Sequence, residues 1–401
     1  MTEAIFFDGT GALYPQLELE GAEKFYEDNE MYAVDNAAKS FYTNEEMLDF
    51  LAVREKNADW VTVDTNSISI GCVENMADFD IADLPTVLSD TVKNTGLFLI
   101  GSEVGETPLR DCAIPTLQDR AGISGRALEA IQREVYVEHM NMYLSVAQKK
   151  AITRLRIADG KVSAAMSSDY VPLSMPALFS EAVTYLNERF PNCTYIIGEW
   201  NHTLISCEWM MPGETALITK YREALLKHGI RKGALVPVLR MTSSDVGISA
   251  VNLLPKLLVG EGKRAVLIPL GSPTGLHHKG AASIEKFIEH LSGVFALYGK
   301  RLTELSSLLE YEVQYPSACM ARILKRCGIS KKYAAETIDF FMATMRDTCT
   351  AHDVFHALGH ALYLLLIDGV TGIAMLRHEE NVARALTFNY AEYDFPSDSD
   401  K

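Results

Sequence analysis

Apolar and polar positions alternate with a period of two in several short runs, then take up a period near 3.6 in the last third of the chain. The clearest run is AITRLRIADGKVSAAMS at 151–167, two alternating segments around Asp159-Gly160. A two-residue hairpin turn needs positive φ at both central positions, and Asp-Gly supplies it, so a β-hairpin is predicted here. ADWVTVDTNSISIGCV and GLFLIG, in the first hundred residues, read as strands. TYIIGEWNHTLISCEWMM reads as strand–turn–strand around Asn201-His202, and ALVPVLRM and RAVLIPL as further short strands.

Helical spacing appears in PALFSEAVTYLNERF, with Pro176 at its start, and in ETALITKYREALLKH, which stops near Gly229. Thr43 followed by Glu46 is a capping-box pattern ahead of a short helix. LQDRAGISGRALEAI at 117–131 suggests two short helices around Gly122. From about Ala281 onward nearly every segment is helical: IEKFIEHLSGVFALYGKRLTELSSLL, ACMARILKRCG, YAAETIDFFMATM, AHDVFHALGHALYLLL and NVARALTF. The tail FPSDSDK is expected to be disordered. GSEVGETPLR at 101–110 looks like a linker or loop. The pattern predicts an α+β chain, with a mixed or antiparallel sheet rich in hairpins followed by a mostly helical C-terminal part. Three regions are expected: an acidic N-terminal one over 1–110, an α+β core over 111–280 and a helical region over 281–395.

Charge sharpens this division. The net charge is −16, and residues 1–100 hold 20 acids against 5 bases while the other 301 residues hold 33 against 32. Such an acidic start is a solvated surface or a segment that shields or mimics a polyanion. The chain as a whole is therefore poorly suited to unaided, tight duplex binding. The seven cysteines are scattered without a C-x-x-C pair, which points to reduced thiols and a cytoplasmic setting. MTEAIFFDGTGALYP has no basic segment ahead of an apolar core, so no secretory leader is expected there. ALYLLLI, closed by Asp368, is far shorter than the roughly 20 residues a membrane span needs.

Several motifs fail on a single residue. IFFDGTGALY has Phe6 where a phosphatase aspartate would attack, GEGKR lacks the glycine and hydroxyl of a phosphate loop, and GSPTG has Pro273 at a nucleophile's place. Other clusters stay open. Lys149, Lys150, Arg154 and Arg156 place cations on and before one strand face, against the reading of an exposed hairpin. Arg322, Lys325, Arg326, Lys331 and Lys332 decorate a helix–turn–helix-like unit at 320–338 and suit phosphate contacts. His277, His278 and Lys279 lie between glycines, where an anion can bind, or form a polar surface turn. In AHDVFHALGH, His352 and His356 stand four apart on a helix, a spacing at which two imidazoles can share one zinc. His360 is about 12 Å from His352 along the axis, too far to join the same ion. The helix otherwise reads as a packed one.

Taken together, LQDRAGISGRALEAI and the run from Ala151 to the helix at Pro176 resemble the phage- and plasmid-encoded family called domain of unknown function 932. The family's helical turn corresponds to Gly122-Ile123-Ser124. Its Arg-bearing strand corresponds to Arg154, its turn to Asp159-Gly160, and its Asp-x-Tyr-x-Pro segment to Asp169-Tyr170-Val171-Pro172, one residue shorter here. TSSDVGISAVNLLP and TAHDVFHALGH are similar to its later strand and closing helix, although Val246 intrudes before Gly247. The resemblance spans roughly residues 115–390. It implies a mobile-element setting, no assigned activity and no cofactor; its pattern has an aromatic residue and Asn at the positions of His352 and His356, so it implies no metal chemistry. The expected function is accordingly a non-enzymatic phage or plasmid protein that binds nucleic acid or a host protein, with no membrane partner. Alternatives are a metal-dependent hydrolase using His352 and His356, and a structural or assembly protein, which a homo-oligomer without ligand would favour.

Overall fold

The computed structural model describes residues 29–73, 86–147, 150–345 and 348–397, apart from Pro191, Glu214, Glu261, Lys263 and Arg264. The IFFDGTGALY segment, Lys149 and the last four residues lie outside the described residues. The architecture is the expected α+β, with antiparallel sheets first and helices last.

Seven strands form the central antiparallel sheet. They are β1 (Ala38–Phe41), β8 (Thr194–Asn201), β9 (Leu204–Met210), β10 (Leu235–Ser243), β11 (Val251–Val259) and β12 (Val266–Pro269) in that order, with β13 (Thr274–Leu276) sharing the edge of β11. Alternation sorts its two faces. Ile205, Cys207, Trp209, Leu239, Met241, Leu253 and Leu257 join the main core. That core is built with α1 (Asn44–Lys56), α5 (Met175–Arg189), α6 (Thr215–Lys227) and α7 (Ile284–Ser307). The opposite face carries Glu208, Arg240 and Lys256, all buried. Glu379, from α11 (Gly372–Arg384), closes them into a charge quartet: Lys256 donates to Glu208 at 2.7 Å and to Glu379 at 2.8 Å, while Arg240 pairs with Glu379 and donates to Ser206 at 2.7 Å.

A second, three-stranded sheet joins β2 (Ala58–Asp64), β6 (Ile152–Ala158) and β7 (Lys161–Ser167). The Asp159-Gly160 turn forms as expected, with φ of 53° and 71°. A third joins β3 (Ser69–Cys72), β4 (Leu97–Gly101) and β5 (Gly105–Pro108). With α3 (Ile114–Ala121) and α4 (Arg133–Ser145) these two sheets share a smaller core around Leu99, Leu117, Met140 and Leu155. A short helix, α2 (Thr86–Thr95), precedes β4.

Strand pairing runs across the boundary expected near residue 110. β1 pairs with β8 and β2 pairs with β6 along seven residues, so both larger sheets cross it. The 101–110 linker is the second half of a hairpin, β4–β5, and its glycines and serine mark the turn rather than a boundary. In LQDRAGISGRALEAI, α3 ends at Gly122 in the left-handed region, and only a single 3-10 turn follows over Arg126–Glu129. Beyond α7, the helices α8 (Pro316–Arg326), α9 (Lys331–Thr344), α10 (Ala351–Ile367) and α11 complete the C-terminal half. α10 crosses β12 at Gly359, where a β-carbon would meet Val266 Cγ1 at 2.5 Å. Among the described residues no helix is long and apolar enough to cross a membrane.

Candidate functional site

The face of the β2–β6–β7 sheet meets the end of the central sheet along a strip of buried charge. Arg54 comes from the last turn of α1, Arg110 follows β5, Arg156 lies on β6 and Lys161 opens β7. The Asp159 carboxylate at the hairpin turn lies 2.7 Å from Arg54 and 3.5 Å from Arg110. Asp35 pairs with Arg110 and Lys161, each at 3.3 Å. Asp245, just beyond β10, pairs with Arg156 at 2.5 Å. The Ala33 carbonyl accepts from Arg110 at 2.9 Å and Lys161 at 3.1 Å. So many cations survive burial because each has a carboxylate or carbonyl to meet.

Two hollows that share lining residues open on this strip. One, of about 120 Å³, is lined by Trp60, Tyr170 and Trp200 together with Arg54 and Arg156. The other, of about 760 Å³, shares Tyr170, Asn201 and His202 and is floored by Arg110 and Arg120 with Lys279 at its mouth. That size is within the usual range for a small-molecule pocket. Two of the three tryptophans of the chain line the smaller hollow, and the third, Trp209, is in the core. Trp60 lies 5.2 Å from the Tyr170 ring, Tyr170 stacks on His278 at 5.3 Å, and the Arg54 guanidinium is 4.9 Å from the Trp200 ring centre.

The titratable groups here are held in fixed forms. Burial, with Arg110 and Arg54 nearby, pushes the His202 imidazole down to about 2, so it is neutral and its Nε2–H donates to the Val34 carbonyl at 2.7 Å. Burial pushes the Cys112 thiol up to about 12, which leaves it an unreactive thiol. Burial raises the Tyr170 hydroxyl as well. The strip offers the half-buried rings of Trp60 and Trp200 and fixed charges, an arrangement suited to holding a ligand.

The sequence-derived candidates distribute unevenly. Arg156 is buried in its ion pair, and Arg154, half-buried, donates to the Tyr170 carbonyl at 2.8 Å, so the two form no exposed cationic face. Lys150 pairs with Asp119 at 3.0 Å beside the larger hollow. The His277–Lys279 loop splits: His277 is exposed, His278 is buried beneath Tyr170, and Lys279 faces the hollow. The structure thus brings Arg154, Arg156, His278 and Lys279 together around Tyr170. The α8–α9 cluster lies elsewhere. There Arg322 is spent on the C-terminal tail, donating to the carbonyls of Tyr393, Phe395 and Pro396 at 2.6–3.0 Å, which also orders part of the segment expected to be disordered. Lys332 pairs with Asp368 at 2.5 Å, and Lys325, Arg326 and Lys331 are exposed.

His352 and His356 both aim Nε2 at the Tyr221 hydroxyl, at 2.7 and 2.9 Å. Asp353, beside them in sequence, closes a capping box with Thr350. His360 stacks on Phe340 at 4.1 Å. Among the described residues no three His, Cys, Asp or Glu side chains come together as a metal site. Sequence reasoning missed Asp35, Arg54, Arg110, Arg120, Lys161, His202 and Asp245. They are spread over more than two hundred residues, and only the Asp159-Gly160 turn marked the place where they meet. No protein-family model, curated protein or solved structure matches the chain.

Proposed function

We propose that this chain is a non-enzymatic binding protein that holds single-stranded nucleic acid in the hollows between the β2–β6–β7 sheet and the central sheet. One observation carries the reading: the half-buried Trp60 and Trp200 line a single small hollow together with Arg54 and Arg156, backed by Tyr170, which is buried against Trp60 and His278. Proteins that bind single strands without reading sequence combine aromatic platforms with cations in this way, because every base has a ring face to stack. A hollow of about 120 Å³ is on the scale at which protein cavities accept one ring. Duplex DNA presents no free ring face and fits neither hollow, in keeping with the net charge of −16. A phage or plasmid setting is supported by the resemblance of residues 115–390.

Tryptophan fluorescence tests this directly. Titration with a single-stranded oligonucleotide at low salt is expected to quench emission, and added salt to reverse it. Trp60→Ala and Trp200→Ala are each expected to weaken binding by about 1–3 kcal/mol. If the oligonucleotide neither quenches emission nor binds at low salt, the reading is wrong.

A further inference from the structure

We infer that the floor of the larger hollow is a subsite for a phosphate monoester, gripped by Arg110 and Arg120 with Lys279 at the mouth. The nucleic-acid reading supplies one carrier of that phosphate, a strand end; a mononucleotide is the other.

Arg120 is the starting point. It lies in the last turn of α3, is 5% exposed, and lines the hollow. Its Nε has no hydrogen-bond partner. Among the described residues it pairs with the carboxylate of Asp119 at 3.2 Å, an exposed group that also pairs with Lys150. Arg110 is 1% exposed and lines the same hollow, and its Nε is likewise without a partner. Each guanidinium is thus left with donor capacity that the protein itself does not use, which an anion in the hollow can take up. Two such groups on one floor is the arrangement that selects an anion.

The charge balance agrees. The hollow is lined by the carboxylates Asp35, Asp111 and Asp119. Asp35 is held by Lys161 and accepts from Thr91 at 2.7 Å, and Asp119 is held by Lys150. Asp111 is exposed at the rim. Arg110 also meets Asp159 at 3.5 Å; the five cations Arg110, Arg120, Lys150, Lys161 and Lys279 still outnumber the four carboxylates Asp35, Asp111, Asp119 and Asp159.

The number of donors decides the kind of anion. A guanidinium meets oxygens in a fork; the Arg120 guanidinium, the N–H groups of Arg110 left over from Asp35 and the Ala33 carbonyl, and the Lys279 ammonium together ask for several free oxygens on one atom. A phosphate monoester carries three terminal oxygens and about −1.5 to −2 charge near pH 7. An internal phosphodiester has two free oxygens and a single charge. The floor therefore suits the end of a strand, or a mononucleotide, better than the middle of a strand. The grip is also rigid: α3 is closed by Gly122 in the left-handed region, and Arg110 is fixed by Asp35 and the Ala33 carbonyl.

The experiment uses the full chain and four probes: an oligonucleotide with a terminal phosphate, the same strand with a terminal hydroxyl, a nucleoside monophosphate and the nucleoside. The phosphorylated strand is expected to bind about tenfold or more tighter than the hydroxyl strand, and the monophosphate tighter than the nucleoside. Arg120→Gln is expected to erase the difference. Should that variant fold poorly, Lys279→Ala, at an exposed position, is expected to reduce it several-fold at an unchanged melting midpoint. Equal binding of the two strands overturns the subsite and leaves the nucleic-acid reading standing. Monophosphate binding that needs Arg120, without binding of either strand, upholds the subsite and removes the nucleic-acid reading. Failure of all four probes overturns both.

Discussion

Tyr221 has one hydroxyl hydrogen and two imidazole neighbours, so it donates to one and accepts from the other. Nδ1 of His352 is buried without a partner. A hydrogen there would be a stranded donor, which favours His352 donating through Nε2–H to Tyr221 and Tyr221 donating to Nε2 of His356. Tyr221→Phe breaks both bonds inside the core and is expected to cost on the order of 1–3 kcal/mol, read as a lower urea midpoint. The same burial sets a pH dependence. Burial pushes His352 down to about 3, despite Asp353, and His202 down to about 2; His356 is lowered as well, by burial and by His352 and Lys232. Unfolded histidines take a proton near pH 6.5, so below that pH the unfolded chain binds protons that the folded chain does not. Stability is then full above pH 6.5 and falls as pH drops toward the folded values, by on the order of 1.4 kcal/mol per pH unit per histidine. Urea midpoints from pH 7.5 to 5 are expected to fall, more shallowly in His202→Gln; a flat profile would rule this out. Of these features the sequence showed the helical spacing of the histidines but not Tyr221, which lies 131 residues before His352.

At the scale of elements, local chemistry decided what could be read. The Asp159-Gly160 hairpin was legible because the turn's φ requirement is local. The β11 strand was legible only through the resemblance of TSSDVGISAVNLLP, since Pro255 in its middle argues against a strand on pattern alone. Pro255 nonetheless sits opposite Leu239, and its carbonyl accepts from Leu270, so the missing N–H does not break the sheet. α11 shows the opposite case, an element whose docking depends on distant partners. Burial works against ionising Glu379, yet Arg240 and Lys256 hold its carboxyl below the ordinary range. Glu379→Ala leaves those two cations with fewer carboxylates beneath the helix. A loss of about 3–5 kcal/mol is expected, the scale for breaking a buried pair by removing one partner. Calorimetry or urea unfolding measures it; a change under 1 kcal/mol would mean that water enters beneath α11 and screens the cations.

For the whole molecule, residues 29–73 and 86–100 of the acidic first quarter are part of the folded body. β1 forms the edge of the central sheet, α1 contributes Met47 and Phe50 to the main core, and Asp35 faces Arg110 and Lys161. Composition hides this, because acids on the outside of such elements make the region look like a separate surface segment. The candidate site was illegible for the same reason: its cations come from both sides of residue 110, and each is an ordinary charged position until the fold sets it beside its partner. A chain starting at Asp111 tests the point. It removes the β1 and β2 partners of β8 and β6, and it strips Lys161, fully buried, of both Asp35 and the Ala33 carbonyl. An unpaired buried ammonium costs several kcal/mol, comparable with the roughly 5–15 kcal/mol that holds a typical domain together. That fragment is expected to lose cooperative unfolding and to bind hydrophobic dyes, whereas a chain starting at Asn29 keeps every one of these contacts and is expected to unfold in one transition. Cooperative unfolding of the shorter fragment would show that residues 111–401 form a domain of their own, with the charged strip as its interface to the rest.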